Sequence, residues 1–244
     1  MTTTEDSIVK QVRAVLENEP RVNLHRYPVG VSVSAGGVVL EGEVESVAAK
    51  KRAMRVAAAI EGVRGVVDRL HVAPAERRSD AEIRDALCAF LLAEAEFRDC
   101  SMKVQVKGRA ETLRDLPGTG AGSIEVAIDD GVVTIEGAVI SLSHKRLVGV
   151  LAWWTQGCRD VINSLRVEPP EEDNDGEVID ALGLVYEIDP VVRHDQITVI
   201  CHDGVVTLSG AVPSEEERER AELDAWALFA VDEVVNHIEV RHVG

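Results

Sequence analysis

Three near-copies of one hairpin stand in this chain: "AGGVVLEGEV" from Ala35, "DDGVVTIEGAV" from Asp129 and "HDGVVTLSGAV" from His202. Residues 29–72, 124–167 and 197–240 align without a gap, and the last two copies share about 16 of 44 positions. A repeat constrains the fold more than any local pattern, because each copy must be one supersecondary unit. The copies lie 95 and then 73 residues apart. A stacked solenoid keeps a near-fixed period, so unequal offsets predict three small domains, at 1–74, 75–170 and 171–244.

Each unit reads as α-β-β-α-β. An amphipathic helix comes first: Ile8, Val12, Val15 and Leu16; Ile83, Leu87, Phe90 and Leu91; Val178, Ile179, Leu182 and Val185. These follow i, i+3/i+4 spacing. Asp80 and Asp175 are expected to start the second and third of these helices. A strand of alternating apolar residues follows, then a two-residue turn at Ala35-Gly36, Asp130-Gly131 or Asp203-Gly204. Asp-Gly supplies the positive φ values of a type I′ turn. That register sets Ile128 against Val133, Cys201 against Val206, and Gly42, Gly137 and Gly210 against Val29, Ile124 and Ile197. Glycine there marks a bulge or a helix in close approach. Ser46, Ser141 and Ser214 are N-caps for a second helix, and Glu217 completes a capping box with Ser214. A last strand ("VVDRLHV", "VINSLRV", "VVNHIEV") is interrupted at Asp68, Asn163 and Asn236. The expected class is α+β: three tandem modules, each a three-stranded mixed sheet with both helices on one face.

A glycine turn, "VVTIEGAV", a serine opening an Ala-rich helix and "V-x-N-x-L-x-V" resemble the BON domain (bacterial osmotically inducible and nodulation). Module 1 departs at Ala35 and Asp68, where the other copies carry Asp and Asn. The resemblance implies small modules without enzymatic activity. It links them to phospholipid or membrane surfaces, envelope and osmotic-stress physiology, chaperone-like protein interaction and, in one subgroup, potassium binding. No cofactor is implied.

Composition narrows the partners. The net charge of −17 disfavours nucleic acid and, for the whole molecule, anionic membrane. That charge is uneven: about +1 over 1–74, about −3 over 75–170 and about −15 over 171–244, by residue count. The N-terminal stretch lacks a basic segment followed by an apolar run, so a cytoplasmic location is expected. Cys88, Cys100, Cys158 and Cys201 show no framework spacing and read as reduced thiols. An insertion at about 102–123 holds "MKVQVKG", which alternates like an extra edge strand, and a loop "RDLPGTGAGS" without phosphate-loop spacing.

Few residues stand out as sites. No catalytic constellation and no metal-ligand spacing is present. Lys50, Lys51, Arg52 and Arg55 cluster on the second helix of module 1, either as a solvated helix face or as an anion patch for a phospholipid headgroup or an acidic partner. Trp153 and Trp226 align, with Trp154 beside the first; they complete small cores or mark a docking surface. Ile200 and Val205 lie on the outer side of the module 3 sheet, where an open face needs cover from a module or another protomer. The acidic third module motivates a monovalent cation as an alternative ligand. Self-assembly is the remaining alternative. Gly36, Gly42, Asp130, Gly131, Gly137, Asp203, Gly204 and Gly210 are structural.

Overall fold

A two-residue Asp-Gly turn puts both residues in the left-handed region and fixes the hairpin behind it. A computed structural model describes residues 2–34, 36–116 and 122–241. Asp130 and Gly131 have φ of 47° and 75°, and Asp203 and Gly204 of 49° and 73°. The registers follow: Ile128 pairs with Val133 and Cys201 with Val206. Ala35 of the first turn, and residues 117–121 of the inserted loop, lie outside the described residues.

Residues Met1–Pro74 form one compact unit and Ala75–Gly244 another. The first holds α1 (Thr2–Asn18), β1 (Val29–Ser34), β2 (Gly37–Val44), α2 (Val47–Ala58) and β3 (Val66–Val72). Strand β2 pairs antiparallel with β1 and parallel with β3. Val12 and Leu16 of α1 and Ala53 and Ala57 of α2 pack on Val31, Val38, Leu40 and Leu70 of the sheet. Both helices cover that one face.

The second unit contains two copies of the same plan. The former has α3 (Asp80–Ala93), β4 (Cys100–Val106), β5 (Arg109–Arg114), β6 (Gly122–Asp129), β7 (Val132–Val139), α4 (Leu142–Trp154), β8 (Asp160–Asn163) and β9 (Arg166–Val167). The latter has α5 (Asp175–Ile188), β10 (Ile197–His202), β11 (Val205–Val212), α6 (Glu215–Ala227) and β12 (Glu233–Val240). The insertion forms two strands where the sequence showed one. Lys107 and Gly108, with φ of 51° and 75°, turn β4 into β5. Strand β4 lies parallel to β6 and β5 is the new edge.

Asp80 and Asp175 open α3 and α5 as expected, with Ser79 and Asn174 as the caps before them. The aspartates also reach across to the hairpin tips. Asp80 accepts hydrogen bonds from the amides of Asp130 (3.1 Å) and Gly131 (2.9 Å). Asp175 accepts from those of Asp203 (3.0 Å) and Gly204 (3.3 Å). Ser214 caps α6, but the Glu217 side chain accepts from the Arg193 amide at 2.7 Å rather than closing a capping box. Phe90, placed by spacing on the apolar face of α3, is exposed. Gly42, Gly137 and Gly210 do not make room for a helix. Their φ values are 136°, 123° and 138°. A methyl group there would lie 2.7, 2.1 and 2.0 Å from the carbonyl oxygens of Pro28, Ser123 and Gln196. The glycines let the neighbouring strand pass.

Candidate functional site

The basic cluster of α2 is built into module 1. In modules 2 and 3 an asparagine ties the last strand to the second helix: Asn163 Nδ2 donates to the Lys145 carbonyl and Asn236 Nδ2 to that of Arg218. Their Oδ1 atoms accept from the amides two residues on. Asp68 keeps the second bond, to the Leu70 amide at 2.9 Å, but an aspartate cannot donate the first. Lys50 supplies the missing donor. Buried at 8% exposure, its Nζ lies 3.1 Å from Asp68 Oδ2 and donates to the Leu70 carbonyl at 2.7 Å. Arg52 forms a 2.8 Å ion pair with Glu19, just beyond α1. Of the four cations Lys50 is thus buried, Arg52 and Lys51 are half-buried and Arg55 is exposed. Sequence spacing alone grouped the four as one surface.

The tryptophans separate as well. Trp226 is fully buried and Trp153 half-buried. Trp154 crosses from module 2 to module 3, its Nε1 donating to Asp224 Oδ1 at 2.8 Å. The Arg220 guanidinium sits 4.7 Å over the Trp154 ring and pairs with Asp189. Nearby, Arg146 is wholly buried, with Nη2 on Asp173 at 2.5 Å and its guanidinium 4.5 Å above the Phe229 ring. The Leu142 amide donates to Glu171 at 2.7 Å. Modules 2 and 3 thus meet through α4, α5 and α6 along a polar seam. Burial pushes the Asp224 carboxyl up to about 8.

Each outer sheet face exposes one large apolar side chain, although Val39 on that of module 1 is buried. Register places one row on each, level with the hairpin tip: Ser32–Val39–Val67, Ala127–Thr134–Ile162 and Ile200–Thr207–Val235. Val67, Ile162 and Ile200 are 48%, 49% and 56% exposed. Val205, beyond the row at the hairpin, is half-buried. The sequence marked Ile200, which aligns with Ala127 and Ser32; Val67 and Ile162 align instead with Val235, on the last strand.

One cluster could hold a metal among the described residues: ligand atoms of Asp175, His202 and Asp203 lie within 4.8 Å of one another. The sequence missed it because Asp175 is on another element. All four cysteines are buried thiols outside any disulfide. Burial raises the Cys88 and Cys201 thiols to about 11. No helix among the described residues is long and apolar enough to cross a membrane.

The BON-domain family profile matches residues 4–74, 109–169 and 174–242. Osmotically-inducible protein Y of Escherichia coli (strain K12) is 28% identical over 149 residues, covering 59% of this chain and 73% of that protein. Two structures of CdsD, a structural protein of the Type III secretion system of Chlamydia trachomatis, are 14% and 13% identical. They cover 97% and 93% of those chains and 96% and 97% of this one, at a TM-score of 0.24. That score is too low to bear on architecture or function.

Proposed function

The chain belongs to the BON-domain family, and from that premise we propose that it is a non-enzymatic binding protein of osmotic-stress physiology that docks on phospholipid surfaces through its outer sheet faces. The observation that carries the reading is one exposed large apolar side chain on the outer face of each sheet: Val67, Ile162 and Ile200. Burying one such side chain contributes roughly 1.5–3 kcal/mol when burial is complete. The ion pairs of Lys50 with Asp68 and of Arg52 with Glu19, with a net charge of −17, leave little attraction for anionic headgroups. Contact should therefore be apolar and opposed by lipid charge, which salt screens.

Co-sedimentation with neutral and anionic phosphatidyl vesicles tests this. Neutral vesicles should retain the protein at any salt, and anionic ones more at high salt. Substituting Val67, Ile162 and Ile200 together by Asp should abolish retention without unfolding. No retention by either vesicle would overturn the reading.

A second reading, a monovalent cation bound at the module 3 tip, rests on an internal contrast. Arg64 lies against the tip of module 1, and Arg159 pairs with Asp130 at that of module 2 at 2.5 Å. Module 3 has Asp232 at this position, beside Gly204 and near Asp175, His202 and Asp203. A thermal midpoint higher in K⁺ than in matched Na⁺ would support it, and equal midpoints would remove it.

A further inference from the structure

A sheet edge is a row of unpaired N–H and C=O groups, which proteins blunt with charge, proline or bulges. The described strands leave six edges. Strand β5 carries Arg109, Glu111 and Arg114; β8 and β9 carry Asp160 and Arg166; β3 carries Asp68 and Arg69; β12 carries Glu233 and Glu239. Strands β1 (VGVSVS) and β10 (ITVICH) carry no Asp, Glu, Lys or Arg.

These two edges hold the position that β6 holds in module 2, and there it is not an edge. Strand β4 lies on β6 from Cys100↔Gly122 to Val104↔Val126. Cys100, Met102 and Val104 of β4 are buried, while Ser101, Lys103 and Gln105 alternate with them. Strands β1 and β10 alternate the same way: Val29, Val31 and Val33 with Gly30, Ser32 and Ser34; Ile197, Val199 and Cys201 with Thr198, Ile200 and His202. Module 2 thus shows this edge receiving a strand, and the other two modules have both the open edge and a suitable strand.

We propose that β10 of one copy pairs antiparallel with β1 of a second copy, merging two three-stranded sheets into one of six. A two-residue turn makes its flanking residues a hydrogen-bonded pair. His202, Ile200 and Thr198 therefore bond to β11, and Cys201, Val199 and Ile197 aim their amides at the open edge. The same count gives Val33, Val31 and Val29 on β1. Residues that bond across an antiparallel edge sit opposite one another, with side chains on one face. Both sets are the inward apolar ones, so the two helical layers fall on the same side of the joined sheet. Charge selects the partner. Two copies of module 3, each about −15, repel, whereas module 1 is near neutral. A β1-to-β10 contact is heterologous and propagates head to tail.

This pairing needs no lipid and stands apart from the membrane reading. Sedimentation velocity of the full chain in lipid-free buffer, across two decades of concentration, is the test. The protein should grow beyond dimer, more readily as salt screens its net charge. Val199→Pro removes an edge amide from β10 without touching the β11 ladder, and Val33→Pro does the same on β1. Each variant alone should be monomeric, and an equimolar mixture should give a one-to-one dimer. That dimer also shows that both variants fold. If circular dichroism shows otherwise, Thr198→Lys and Ser32→Lys, at exposed positions, replace them. A monomeric parent at every concentration overturns the proposal, as does dimerisation of the Val199→Pro chain alone, which would mean β1 pairing with β1.

Discussion

Burial lifts the Asp224 carboxyl from an ordinary 3.8 to about 8, and the Asp189 carboxylate adds to this; Arg220 and the Trp154 indole pull the other way. Asp224 Oδ1 accepts from Trp154, and Oδ2 has no hydrogen-bond partner among the described residues. Glu222 lies on the same helix, and the buried Tyr186 hydroxyl donates to the Ala221 carbonyl at 2.7 Å. The folded state thus holds a proton that the unfolded chain gives up near 3.8. The associated stability is fully present below that pH, declines as pH rises, and is gone above about 8. Asp224→Asn keeps the acceptor for Trp154 and removes the titration. Thermal midpoints measured from pH 5 to about 9 should fall for the parent relative to this variant, with the curves running parallel at the alkaline end. Asp224 was not marked as a site from sequence, where it is one acid among many in an acidic helix. Its environment comes from Trp154, which lies 70 residues away.

At the level of elements, the hairpin and the helix before it are clasped by one carboxylate. The Asp203 amide is the first cause holding Asp175 below its ordinary 3.8, followed by the Cys201 thiol, with the Gly204 amide a smaller contribution. The clasp is therefore present above that pH and lost as pH falls through the lowered value. Asp175→Ala should speed amide exchange at Asp203 and Gly204 at neutral pH, and the difference from the parent should close in strong acid. Hydrogen exchange read by NMR checks both. Hairpin registers, caps at Ser46, Ser141 and Ser214, and the sheet order were legible because each depends on neighbours in sequence: Asp-Gly geometry, period two, a hydroxyl before a helix. The clasp was not, since Asp80 and Asp175 also read as ordinary helix-start residues. Nor was strand β5. "RAETLR" has no alternation, and it is a strand because β4 offers it an edge.

Across the second unit, modules 2 and 3 share a seam with buried charge on both sides. Half-buried Trp154 gives its indole N–H to module 3 and its face to Arg220. Trp154→Ala should cost about 2 kcal/mol, less than a fully buried tryptophan, and so lower the transition of this unit by roughly 4–8 °C. Exchange should rise in α4 and α6 together, because neither module's share of the seam is complete without the other. A loss confined to module 2 would mean that the two unfold separately. Such contacts leave no mark on a repeat alignment, which compares the modules but cannot show which of them touch.

The exchange of Asn for Asp68, answered by Lys50, has a consequence for recombination between the repeats. Residues 50 and 68 lie on opposite sides of a crossover and must be inherited together. A chimera taking α2 from module 1 and its last strand from module 3 would bury a lysine facing an amide, with no carboxylate to neutralise it. The reverse chimera would set a carboxylate against the Arg218 carbonyl with no lysine beside it. The three copies share one fold, yet the break-points at which their sequences can be spliced are fewer than their identity suggests.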